Sequence, residues 1–137
     1  MPLGSTALPA RPVFYGGGFA EDDLLPFQGA PTEDAQEPAL SPNQYIRTIN
    51  TRALELAGYL PGDSVVFDMS VAPREGDAVA ANVYKLEGGA MTVLRLYDPP
   101  YLVTRTMDQR IMTKPRPVDD HLVKIMAVAI RLVRARP

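Results

Sequence analysis

The chain alternates between short runs of apolar, β-branched and aromatic residues and turns that are rich in glycine, proline and aspartate. Short runs of this kind, bounded by turn residues, are typical of strands rather than helices. Strands are predicted over Tyr45–Ile49, Ser64–Asp68, Ala78–Tyr84, Ala90–Leu96 and Tyr101–Met107. Six or seven short strands with turn signals between them predict a mainly β domain.

The turns between these runs have recognisable chemistry. Thr51–Ala57 has room for one helical turn, which Gly58 would close as its C-cap. Leu60–Asp63 places proline and glycine where a type II turn wants them. Glu87–Gly89 is a hairpin loop, and the prolines of Lys114–Pro117 predict a loop there.

The last apolar segment, Leu122–Arg134, leaves two alternatives open. Leu122, Ile125, Met126 and Ala129 fit a helical period near 3.6 residues. The β-branched residues of the same segment favour a strand. We prefer the strand, because it continues the pattern of the rest of the chain.

The first 42 residues differ from the rest of the chain. Met1–Ser5 resembles an expression-vector remnant, which suggests a piece cut from a longer protein. Residues 6–42 are rich in proline and glycine and predict an extended arm or linker, with one short strand at Pro12–Tyr15. Gly16–Gly18 lacks the lysine and serine or threonine of a phosphate-binding loop. The folded domain is therefore predicted to span residues 43–137.

Composition excludes several classes of function. The chain has no cysteine and one histidine, His121, so neither a disulfide nor a multi-histidine metal site is expected, and we predict no cofactor. His121 is interpreted as a loop residue. A net charge of -2 argues against direct binding of nucleic acid, and no apolar run is long enough for a membrane span. The acidic pairs Asp22–Asp23 and Glu33–Asp34 lack basic residues beside them. We expect a cytoplasmic protein.

Four segments, in order, resemble a known family. They are Tyr45–Asp63, with its Gly-Asp ending; Val71–Ala81, with a Gly-Asp turn into a strand; Met91–Leu96; and Ile125–Ile130. Together they resemble the C-terminal domains of LexA, phage repressors and UmuD, which are self-cleaving serine-lysine peptidases. The resemblance implies a LexA-like fold of twisted antiparallel sheets that form a partly open, barrel-like structure.

The residues that carry the family's chemistry are replaced in this chain. Ala53 stands in the place of the nucleophilic serine, with Leu54 in the adjoining methionine position, and Leu94 stands in the place of the general base, a lysine. A serine hydroxyl needs a base within hydrogen-bond reach, and lysine serves only when its pKa is lowered enough to leave it neutral. Alanine offers no hydroxyl and leucine accepts no proton, so we expect a pseudo-peptidase.

A shifted alignment does not restore the dyad. Thr51 and Ser64 are the nearest hydroxyls, but Arg95, next to Leu94, stays protonated and cannot act as a base. An engineered serine knockout would explain Ala53. It would not explain Leu94, and two losses favour a natural pseudo-enzyme.

The resemblance implies a function in transcription. Relatives in the family carry a helix-turn-helix domain before this one, and the C-terminal domain pairs two such heads on operator DNA. We therefore expect a homodimer in a bacterial or phage repressor of the SOS type, released by an antirepressor protein rather than by self-cleavage. The alternative is a UmuD-like accessory subunit of a translesion polymerase. By resemblance, the dimer interface would be Ala127, Val128, Ala129, Ile130, Arg131, Leu132, Val133 and Arg134.

Overall fold

The computed structural model describes residues 22–27 and 39–134, and these residues form a mainly β domain, as predicted. One 3-10 turn, η1, spans Glu55–Ala57. The strands are β1 (Leu24–Pro26), β2 (Gln44–Ile49), β3 (Ser64–Asp68), β4 (Ala78–Tyr84), β5 (Ala90–Asp98), β6 (Tyr101–Val103), β7 (Arg116–Pro117) and β8 (Val123–Val133).

All eight strands belong to one antiparallel sheet with the order β1-β2-β3-β8-β4-β5-β6-β7. The last strand, β8, lies in the middle and joins two halves. Its residues up to Val128 pair with β4, and its residues from Val128 onward pair with β3. No backbone pairing joins β1 to β7, so the sheet is not closed, which confirms the prediction of a partly open sheet.

Two β-bulges interrupt β8. The register with β4 skips Met126, and the register with β3 skips Ile130. A bulge adds an unpaired residue and bends its strand, and these two side chains are exposed by 37% and 45%. The strand assignment of this segment is therefore confirmed, and the helical alternative is wrong.

The core has two parts, one on each face of β4. Ala78 and Ala80 point into a cluster with Ile49, Leu54 and Leu94. The alternate residues of β4 point to the other face, into a second cluster formed by Val79, Ala81, Val83, Val93, Leu102, Val123 and Val128. Because β4 is buried on both faces, its sequence is almost continuously apolar.

The predicted turns at Gly58 and at Leu60–Asp63 are confirmed. Gly58 closes η1 with a φ of 94°, and its N–H donates to the Glu55 carbonyl (3.2 Å). Gly62 has a φ of 92°, inside a turn closed by the Asp63 N–H and the Leu60 carbonyl (3.1 Å). Left-handed backbone of this kind favours glycine.

Three expectations about strands were wrong or incomplete. The strand that begins at Tyr101 ends at Val103, well before Met107. Arg116–Pro117, expected as loop, pairs with Tyr101 and Leu102. β1 was not predicted, and it lies within the segment assigned to the arm, so the described part of that arm belongs to the sheet. Pro12–Tyr15 and Met1–Ser5 lie outside the described residues.

Candidate functional site

Ala53 lies in the bend between β2 and η1, with 1% of its surface exposed. Its backbone is held on both sides: its N–H donates to Thr51 Oγ1 (3.1 Å), and its carbonyl accepts from the Arg105 N–H (2.7 Å). The Thr51 hydroxyl, one of the two nearby hydroxyls in the sequence, thus serves as a local backbone acceptor. At the position where the resemblance places a nucleophile, the structure has a buried methyl group.

Leu94 lies in the middle of β5, opposite Ala80, and is fully buried. Its side chain belongs to the apolar cluster that also contains Leu54 and Leu24. Leu54, which follows Ala53, and Leu94 therefore lie in the same core cluster. The fully buried members of this cluster cannot transfer a proton, because all of them have aliphatic or aromatic hydrocarbon side chains.

Arg95, beside Leu94, is buried and paired. Its Nη1 donates to Asp23 Oδ2 and to the Leu94 carbonyl, each at 2.8 Å. Asp23 Oδ2 also accepts the Leu94 N–H (3.0 Å). The expectation that Asp22–Asp23 lacks basic company is thus wrong for Asp23, because the arginine that faces it is 72 residues away in sequence.

The two aspartates do more than pair with Arg95. Asp22 Oδ1 accepts the N–H of Thr92 (3.1 Å), and the Asp23 N–H donates to the Thr92 carbonyl (3.1 Å). The Asp23 carbonyl accepts the Asn50 N–H (2.8 Å) on the other side. Residues 22–23 therefore connect β5 to β2 and bridge the opening of the sheet. Burial raises the pKa of Asp23, although the charge of Arg95 opposes that shift.

A second carboxylate fixes η1 in place. Glu55 Oε2 accepts from the Thr106 hydroxyl (2.6 Å) and from the Met107 N–H (3.0 Å). The hydrogen bond from Thr106 is the main cause that lowers the pKa of Glu55. The turn that carries Ala53 is therefore tied to the chain that follows β6.

The proposed dimer segment has two parts. Ala127 and Val128 are buried inside the chain and their side chains face its own cores. From Ala129 onward the exposure increases, and Ile130 and Arg131 lie at the surface. Arg134 Nη2 donates to the Gly58 carbonyl (3.0 Å) and lies 3.7 Å from Asp63 Oδ2. The exposed residues of the predicted interface therefore lie from Ile130 onward.

His121 lies in an exposed loop, as interpreted from the sequence. The neighbouring Asp119 accepts the backbone N–H groups of residues 121, 122 and 123 through Oδ1 (2.8–3.0 Å). These hydrogen bonds, with that of Val123 first, lower the pKa of Asp119. Within residues 22–27 and 39–134, no three histidine, cysteine or acidic residues come together as metal ligands.

The inner face of the sheet, which is the face that carries Ala80 and the cluster around Leu94, opens into a groove of about 390 Å³. The groove lies toward the beginning of β2, whereas Ala53 follows the end of that strand. Its lining is partly polar and partly apolar, and comprises Asp22, Leu24, Pro26, Tyr45, Arg47, Met69, Ala80, Asn82, Thr92 and Met126. Sequence reasoning did not find this groove, because its walls come from five strands that only the sheet order brings together.

The part of the chain that the structure describes contains no helix with the length and apolar character needed to cross a bilayer. Comparison with protein-family models and with curated proteins finds no match to this chain.

Proposed function

We propose that the chain is the dimerisation domain of a LexA-type transcriptional repressor that has lost the ability to cleave itself. The observation that supports this proposal is the burial of Ala53 and Leu94, the residues that the resemblance places at the positions of the nucleophile and the base. Acyl transfer by a serine-lysine pair needs a hydroxyl and a neutral amine in contact. An alanine methyl and a leucine side chain supply neither, so release from operator DNA requires another event, such as the binding of an antirepressor protein.

The pairing role is supported by the edge of β8. Residues 129–133 pair with β3 along one edge, while β4 pairs with β8 only as far as Val128. Within the described part of the chain, no backbone group pairs with the other edge of these residues. An open edge next to exposed Ile130 and Arg131 favours antiparallel pairing with the same strand of a second copy, because a two-fold axis makes such a contact self-complementary.

The dimer is tested by measuring molar mass with size-exclusion chromatography and light scattering. We expect a dimer for the natural sequence at about 10 µM, and a monomer for Ile130→Asp, because a carboxylate is costly to bury at an interface. Leu86→Asp is the matched control, since Leu86 is 89% exposed in a hairpin loop far along the chain from β8. A monomeric natural protein, or an Ile130→Asp variant that remains a dimer, would contradict the pairing role.

The loss of cleavage is tested separately. The protein is incubated at high pH, and in parallel with an activated RecA-type filament, beside a self-cleaving LexA-type repressor as positive control. We expect an unchanged mass for this chain under conditions that cleave the control. A specific cut would show that another nucleophile operates and would overturn the proposal.

A further inference from the structure

The groove on the inner face of the sheet contains a cation, Arg47, that forms no ion pair with a described carboxylate. Arg47 shares its face of β2 with Ile49, which lies in the core, so its side chain points inward. Its guanidinium carbon lies 4.7 Å from the centre of the Tyr45 ring, and Nη1 donates to the Ile46 carbonyl (2.9 Å). Among residues 22–27 and 39–134, no acidic group forms an ion pair with it. A guanidinium has five N–H donors, and the bond to Ile46 is the one hydrogen bond that the Arg47 guanidinium forms within the described residues.

The opposite wall supplies neutral polar groups. The Thr92 hydroxyl donates to Asn82 Oδ1 (3.1 Å), and Asn82 Nδ2 donates to the Tyr84 hydroxyl (3.3 Å). Asp22, at the rim, is engaged by the Thr92 N–H. Asp22 is a second charged residue in the lining, and it forms no ion pair with Arg47. Arg47 is the cation among the lining residues, and its guanidinium favours a carboxylate in a two-pronged hydrogen bond.

Two methionines form the apolar part of the wall. Met69 and Met126 are 52% and 37% exposed and both line the groove. Unbranched thioether side chains adapt to irregular apolar partners and are frequent at surfaces that bind peptides. The groove therefore combines one cationic anchor with an adjustable apolar surface.

The strands beside the groove also offer backbone hydrogen bonds. Residues 22–23 connect β2 to the edge of β5 that faces away from β4, and they do so at Thr92, whose N–H and carbonyl both point into the gap between these two strands. Backbone groups alternate between the two edges of a strand, so those of Ala90 face the same gap, beyond the bridge. An extended chain entering there can pair with this edge, which a small free acid cannot do.

We propose that this groove binds an extended peptide segment of a second protein, in which an acidic side chain flanked by apolar residues reaches Arg47. The proposal rests on the proposed function, because such a segment is what an antirepressor would present to a repressor that cannot cleave itself. It concerns a different surface from the dimer edge, so its failure leaves the dimer measurement unaffected.

The test follows the side-chain signals of Arg47 and Asn82 by NMR in the full chain. The probes are a blocked pentapeptide, threonine-leucine-glutamate-leucine-threonine; the same peptide with glutamine in place of glutamate; and glutarate as a free dicarboxylate. We expect the acidic peptide to bind with a Kd of about 1 mM or below, and the glutamine peptide and glutarate to bind about tenfold more weakly.

Two variants examine the anchor from opposite walls. Arg47→Gln removes the cation and Asn82→Asp adds a repelling carboxylate, and each is expected to weaken the acidic peptide by about tenfold. Arg74→Gln, at an exposed residue outside the groove, is the control and should bind normally. Backbone spectra report whether each variant is folded, and one folded variant is enough to test the proposal. Equal binding of the acidic and glutamine peptides, equal binding of glutarate, or full affinity in a folded variant would overturn the proposal.

Discussion

Placing a lysine at position 94 is a direct test of how apolar the surroundings of this position are. Leu94 is fully buried in a cluster of aliphatic and aromatic side chains. A lysine there must stay neutral in the folded state or carry a charge into the core. Since the pKa of lysine is about 10.4 in the unfolded chain, holding it neutral at pH 7 costs about 4–5 kcal/mol.

The sign of the pH dependence follows from the same reasoning. The folded-state pKa of the new lysine would be lowered, so between that pKa and about 10.4 the unfolded chain binds more protons than the folded chain. The free energy of unfolding of Leu94→Lys should therefore rise by about 1.4 kcal/mol per pH unit, relative to the natural protein, from pH 7 to 10.

The assay is urea denaturation at pH 7, 8, 9 and 10, with two controls. Leu94→Met keeps the volume and should cost less than about 1.5 kcal/mol at every pH. Leu86→Lys, in an 89% exposed position, should change stability by less than about 0.5 kcal/mol. A Leu94→Lys variant that loses less than about 1 kcal/mol at pH 7, with no recovery at pH 10, would refute the burial of this position.

Two further predictions concern the carboxylates. Asp23→Ala removes the acceptor of the Leu94 N–H and of Arg95, so urea denaturation should show a free energy of unfolding lower by about 2–3 kcal/mol. Asp22→Ala, at a more exposed residue, should cost less than about 1 kcal/mol. Equal costs for the two variants would contradict the bridge that residues 22–23 form between β5 and β2. The second prediction is that the free energy of unfolding falls as the pH is lowered from 5 to 3. Hydrogen bonds lower the folded-state pKa values of four carboxylates, and the stabilisation that they provide is lost on protonation; these are Glu55, Asp68, Asp108 and Asp119. A curve that is flat or rises toward pH 3 would show that Asp23, whose pKa is raised, outweighs these four.

Local chemistry determined the parts of the fold that were predicted well. Gly58 and Gly62 adopt the left-handed backbone that their turn positions require. The bounds of β3 and β4 follow from apolar runs that stop at turn residues. These signals lie within a few residues of one another, so they can be read without knowing which strands become neighbours.

β1 could not be predicted in the same way. It is three residues long and ends in proline, and its position depends on contacts of Asp22 and Asp23 with β5, some 70 residues away. The ambiguity in the last strand has a related cause. The bulges at Met126 and Ile130 lie four residues apart, so exposed apolar positions recur at a spacing that resembles a helix turn. The groove at Arg47 was missed because no single segment contains it.

The central position of β8 has a consequence for the order in which the domain is completed. β8 leaves the ribosome after every other described strand, yet it supplies the pairing that joins β3 to β4. Until about residue 133 has emerged, β3 and β4 present the edges that β8 later covers. The two half-sheets are then joined by the loop between β3 and β4 and by the contacts of residues 22–23 and of η1, but not by strand pairing between β3, β8 and β4. Shortened chains that end before Val123 are therefore expected to pair with one another rather than to fold, since open edges of buried, apolar strands are templates for aggregation.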